Sequence, residues 1–262
     1  FARIWTAYSV EVVKALRQRQ TYLGPALVIL VLMCGPLVHP IERDGVSDYG
    51  FIAYVTPLAL NTVGFVVLLA YCSGLMASEM GDGSIRQVLV RPVRRYEYVL
   101  AKLLMGVSYA IVLSLIAVGG AWGLAYGLGE LRGVTYGGEL VYAAEAMRNA
   151  HLLGALLGLA PLCAGAAYAL LISTCTRNPL TAVSAGVGIW IVLDVVKYPL
   201  GIAPFVFTTY LESPWHVFAQ RCEAMDAAWF PMAWYCLATS AAVFGASTAL
   251  AAVIMQRRNL PG

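Results

Sequence analysis

Six stretches of predominantly apolar residues, each near the roughly 20 that a helix needs to cross the bilayer's hydrocarbon core, constrain this chain more than any other feature. Within that core every backbone amide must be bonded inside its own segment, so each stretch is expected to be a helix. The spacing predicts spans at 21–39, 51–77, 99–128, 151–175, 180–200 and 231–255. The second and third are long for one straight crossing, so tilt, a kink at Pro57 or extension into water is expected. Pro36 and Pro161 fall inside other spans, where bilayer helices tolerate proline better than soluble ones do. The predicted fold class is all-α: a polytopic membrane protein with six transmembrane helices.

Composition supports this and removes other classes. Of 262 residues, 60% are apolar and 12% are charged, about half the charge that covers a soluble domain. A disordered chain, a disulfide-stapled secreted module and a nucleic-acid binder are all excluded, since none tolerates so much apolar sequence with so little charge. A Walker-type phosphate loop needs Gly-Lys-Ser/Thr. The only lysines are Lys14, Lys102 and Lys197, preceded by Val13, Ala101 and Val196, so the chain is not a Walker ATPase by itself.

Basic residues predict the orientation, because loops rich in Lys and Arg stay cytoplasmic. With the amino terminus inside, twelve of the 17 basic residues fall on the cytoplasmic side and only four of the 14 acidic ones do. Both termini are therefore expected in the cytoplasm, at a plasma membrane such as the bacterial inner membrane. No cleavable leader is expected, because the first span follows a basic segment and lacks a small-residue cleavage pattern. Five of the six cysteines lie within spans and Cys222 in an outer loop, which argues against a structural disulfide.

Two segments outside the spans are patterned. Residues 1–20 place Ile4, Trp5, Tyr8, Val12, Ala15 and Leu16 on one helical face and Arg3, Lys14 and Arg17 opposite, the layout of an interfacial amphipathic helix; a helical extension of the first span is the alternative. In the cytoplasmic stretch 78–98, Gly81 and Gly83 allow a turn, Ser84 can cap a short helix and Pro92 stops it. Ile85, Val88 and Leu89 then share one side, with Arg86 on the other. Such a helix suits docking, whereas a plain positive-inside loop explains the charges but not the punctuation.

Here the chain resembles a known family. An acidic residue, a glycine, a short helix, Pro-Val-x-Arg, an aromatic and a lysine entering the next span (Glu79, Gly83, Pro92, Val93, Arg95, Tyr96, Lys102) resemble the permease subunit of ATP-binding-cassette transporters of the ABC-2 exporter type, with the type V exporter fold. The six spans, the short link 176–179 and the semi-apolar outer segment of about 201–230 fit the same family. The resemblance implies a dimer of two six-span permeases, as a homodimer or heterodimer, driven by separate nucleotide-binding subunits that carry ATP and Mg. It also implies that about 84–89 is the coupling helix. Glu79, Asp82, Ser84, Ile85, Arg86, Val88, Leu89 and Arg91 are then the residues expected to meet the ATPase. The domain organisation is an interfacial helix at 1–20 and a transmembrane domain at 21–262, with 201–230 as an outer re-entrant segment.

Within the spans, Asp194 and Lys197 sit three apart and can pair on one helical face. A carboxylate in a bilayer is costly unless it faces protein or water, which makes the pair a candidate for the pathway; an outer-surface ion pair with Lys197 snorkelling is the structural alternative. Asn61 and Thr62 are candidates for the same pathway, or glue between helices. Gly119, Gly123 and Gly127, Gly154 and Gly158, and Ala241, Gly245 and Ala249 repeat every fourth residue, the period of close helix packing. His39, His151, His216 and Cys222 sit on separate elements, so no metal site, cofactor or catalytic residue is assigned to this chain.

The competing functions are an ATP-independent carrier or channel and an intramembrane enzyme. The first lacks evident inverted repeats, and the second lacks His-Glu-x-x-His and a Gly-x-Ser-Gly nucleophile pattern. Expected partners are the ATPase subunits, a second permease, membrane lipids and, as a further candidate, an outer-side protein for the acidic loop 129–150; nucleic acid is not expected. A lipid-like or amphipathic export substrate is compatible with the span walls, as is force transmission to an outer protein.

Overall fold

The computed structural model describes residues 2–41, 47–83 and 94–258. Among them, six helices are long and apolar enough to cross a membrane. A shorter helix, α1 (Ala2–Arg17), precedes them and breaks at Gln18, whose extended backbone separates it from α2 (Arg19–Val38). The second crossing is composite: α3 (Tyr49–Pro57), a π-helical segment Leu58–Gly64, then α4 (Phe65–Gly81). Pro57 supplies no N–H to the ladder, and the wider π turns follow directly from it. The expected kink at Pro57 thus takes the form of a widened helix.

The third crossing, α5 (Arg95–Leu128), has 34 residues and is about 51 Å long, more than the hydrocarbon core requires. Its first turn is capped by Glu97, whose carboxylate accepts from the Arg94 N–H at 2.8 Å. After it come strands β1 (Val134–Tyr136) and β2 (Glu139–Tyr142), paired antiparallel. Gly137 and Gly138 both have positive φ, which a two-residue hairpin turn demands. The fourth, fifth and sixth crossings are α6 (Ala144–Cys175), α7 (Pro179–Val196) and α9 (Met232–Arg257). Between the last two, 3-10 turns at Ala203–Phe205 and Phe207–Leu211 lead into α8 (Ser213–Cys222).

Helix α6 is the central post, packed by α4, α5 and α9, with α7 laid on α4. Its neighbours approach through small residues: Ala164, Ala166 and Ala169 are all buried in the main core. Helices α2, α7 and α9 keep most of their apolar surface on the outside, as lipid-facing helices must. Helix α1 and the C-terminal end of α9 lie at the end of the bundle where α5 starts, hereafter the terminal end. There the Arg95 guanidinium donates to the carbonyls of Gln256 at 3.1 Å and Arg258 at 2.8 Å, closing the end of α9, while Arg258 donates to the Thr174 carbonyl of α6.

Candidate functional site

The stretch expected to dock a partner begins where α4 ends. Glu79 is buried in the last turn of α4, and Asp82 caps that helix in solvent, its N–H bonded to the Ser78 carbonyl at 2.9 Å. Ser84, Ile85, Arg86, Val88, Leu89 and Arg91 lie outside the described residues, as do Pro92 and Val93. The chain re-emerges at Arg94 to start α5.

Glu79 joins the two flanks of that stretch to each other and both to α1. One oxygen of its carboxylate accepts from Lys14 of α1 and from Lys102 of α5, the latter at 2.7 Å. The other accepts from the Tyr98 hydroxyl of α5. Lys102 reaches on to Glu11 of α1 at 2.6 Å. Two carboxylates and two ammonium groups therefore form a charge-balanced cluster. Lys102 is 1% exposed and Glu79 5% by side chain, whereas Lys14 is 42% exposed at the rim. Buried charges survive only when paired and hydrogen-bonded, and Lys102 is both. A fifth contact, Tyr8 to Ser108 at 2.7 Å, extends the seam between α1 and α5. Glu79 and Lys102 were visible in the sequence as motif residues, but their union with Glu11, Lys14 and Tyr98 was not. One signal pointed to it: at 100° per residue Glu11 falls beside Ile4 and Ala15, an acid at the edge of the apolar face.

The other candidates are at the opposite, far end or midway. Asn61, in the π-helical segment, is buried and donates to the Leu211 carbonyl at 2.6 Å, so it holds the segment between α7 and α9 against the second crossing. Thr62, its neighbour, is exposed on the outside of the bundle. Asp194 and Lys197 pair at 2.5 Å, with the lysine 3% exposed and the carboxylate 39%. The ammonium also lies 5.0 Å from the Tyr198 ring centroid. Lys197 is thus turned into the protein instead of snorkelling outward, while Asp194 stays on the surface of α7.

The far end is closed by a roof. Trp215 of α8, 2% exposed, lies over Gly154 and Gly158 of α6, where an added Cβ would meet the indole at 3.8 and 3.5 Å. The His151 ring is buried beside it, with Trp122, Trp215 and Phe218 at centroid distances of 5.6, 5.8 and 5.5 Å. Arg221 sits between the Tyr142 and Trp229 rings and donates from two nitrogens to the Ala227 carbonyl, tying the hairpin to the loop after α8. Burial pushes the neighbouring Cys222 thiol up to about 12, which keeps it protonated in neutral water. Gly119, Gly123 and Gly127 have nothing within 4 Å of a built Cβ, so that stripe, expected to pack, meets no partner among the described residues. Among those residues no group of three or more His, Cys, Asp or Glu could hold a metal ion.

Six long apolar helices, one of them the central post, with a buried ion cluster at one end and an aromatic roof at the other, define a multi-pass α-helical membrane protein. The chain matches the family described as ABC-2 family transporter protein over residues 8–183, well over half its length. It belongs to that family, and so is the membrane-embedded permease component of an ATP-binding-cassette transporter. No curated protein matches it.

Proposed function

We propose that this chain works as one of two permease subunits, alike or related, seated on separate ATPase subunits that bind ATP and Mg, and that hydrolysis there drives export across a bacterial inner membrane. The terminal end then faces the cytoplasm, as the charge bias favours. The observation that carries this is the bracket around 84–93: the family match spans it, and Glu79 ties its two flanking helices to one another. A push on that stretch reaches α4 and α5 together. The lysines add support, since all three are engaged in ion pairs on helical side chains and none follows a glycine-rich turn. A lipid-like or amphipathic substrate suits walls that are apolar, small or aromatic, and force applied to an outer protein suits them equally.

The test is a pair of substitutions in the coupling stretch. Changing Val88 and Leu89 together to Ser removes the apolar anchors expected to fill a pocket on the ATPase, where interface energy concentrates in few residues. Copurification of the ATPase, or its stimulated hydrolysis, should fall by at least ten-fold, with the six-span fold intact. Arg132→Ala, at an exposed far-end ion pair with Glu130, is the control and should change neither. Full stimulated hydrolysis in the double variant would reduce 84–93 to an ordinary loop.

A further inference from the structure

Helix α1 presents two dissimilar sides. One is bonded into the protein through Tyr8, Glu11 and Lys14, with Ala15 buried between them. The other leaves Trp5 68% and Leu16 61% exposed, with Arg3 and Arg17 exposed on the adjoining edge and Arg19 just beyond the break. On a helical wheel Trp5 and Leu16 lie about 20° apart and the two arginines about 40° apart, the two groups separated by about 100° or more. That layout places an apolar edge at the acyl boundary and a basic edge among headgroups. The apolar edge continues into the exposed Tyr22 and Leu23 of α2, a helix apolar enough to stand in lipid, so the same medium bathes both. Charge selects the occupant. Glu11, the one acid in 2–17, is turned inward onto Lys102, and the outer edge, where Val10 lies between Arg3 and Arg17, carries no acid.

We propose that α1 is a docking surface for anionic lipid headgroups, and that the ion cluster on its inner side passes their binding to the helix ends flanking 84–93. The second half rests on the reading of the chain as an ATPase-driven permease; the first does not. A headgroup phosphate takes paired hydrogen bonds from a guanidinium fork. Drawing α1 toward the headgroups loads Glu11 and Lys14, and their partners Lys102 and Glu79 stand at the base of α5 and α4. Lipid charge thereby sets how firmly those two helix ends are held.

The test uses the full chain in nanodiscs of phosphatidylcholine with a minor share of phosphatidylglycerol, one lipid or the other brominated to quench tryptophan, and Trp5→Phe to isolate the signal of Trp5. Brominated phosphatidylglycerol should quench Trp5 beyond its mole share, with enrichment of up to roughly five-fold per arginine. The enrichment should vanish in Arg3→Gln/Arg17→Gln/Arg19→Gln and persist when the same three become Lys. Quenching in proportion to mole share in the unaltered chain overturns the docking surface. In the complex with its ATPase, phosphatidylglycerol should raise hydrolysis with the unaltered chain but not with Glu11→Gln, which keeps the lipid enrichment. A normal response in Glu11→Gln overturns the transmission and leaves the docking standing. If no ATPase associates with the chain, the permease reading fails and takes the transmission with it, while the quenching result is unaffected.

Discussion

Lys102 carries the largest electrostatic stake at the terminal end, because it is 1% exposed and compensated by Glu11 and Glu79 together. Replacing it by Met leaves Glu11 buried without its cation, and breaking such a pair from one side costs about 3–5 kcal/mol. Lys102→Met paired with Glu11→Gln leaves Glu79 still matched by Lys14, so most of that loss should return, as thermal unfolding in detergent would read. Equal loss in the single and double variants would show that the stem of Lys102, not its charge, is what matters. The Asp194 and Lys197 pair obeys the same logic with the burial reversed, since here the lysine is the hidden member. Asp194→Ala strands a buried ammonium and should lower folded yield several-fold, and Asp194→Ala with Lys197→Met should restore it. Wild-type yield from all the variants would mark the pair as wetted. At this scale the sequence was legible where partners are close along the chain. The i, i+3 pair was readable from spacing, whereas Glu79 meets Lys14 across 65 positions, and no periodicity announces such a partner.

Helices behave differently, because a span advertises itself through twenty consecutive residues. The predicted spans fall within a few residues of α2, α5, α7 and α9, and the second crossing was expected to bend at Pro57. What escaped was local geometry that depends on neighbours. Asn61 in the π segment Leu58–Gly64 reaches the Leu211 carbonyl, and Gly154 and Gly158 receive an indole instead of another helix backbone. The hairpin has a signal in the sequence: Gly137-Gly138 stands between Val-Thr-Tyr and Glu-Leu-Val-Tyr. The glycine seat makes an element-scale prediction. Gly158→Ala places its Cβ 3.5 Å from the Trp215 indole, an ordinary contact, and should be nearly silent. Gly158→Leu should displace the indole and loosen α8, and Trp215→Ala should match it at about 3–5 kcal/mol of lost packing. Hydrogen exchange across 213–222 checks this: both variants should exchange faster than wild type, and unchanged exchange in either would show that α8 is held from elsewhere.

Across the whole molecule the two ends have different construction. The far end is roofed by aromatic rings and one stacked guanidinium, and the terminal end is bound by ions and arginine caps around the stretch where a partner is expected to push. Helices α5 and α6 run the distance between the ends as packed helices, which gives the ends a physical route to cooperate. On the proposed function this permease does no work alone. The most direct measurement is the mass of the detergent-solubilised particle coexpressed with its ATPase, followed by ATP hydrolysis of the same particle in lipid. Two permease subunits with two ATPase subunits, and hydrolysis that collapses with Val88→Ser/Leu89→Ser, is the predicted result. A lone permease that moves its substrate with no ATPase bound would contradict it.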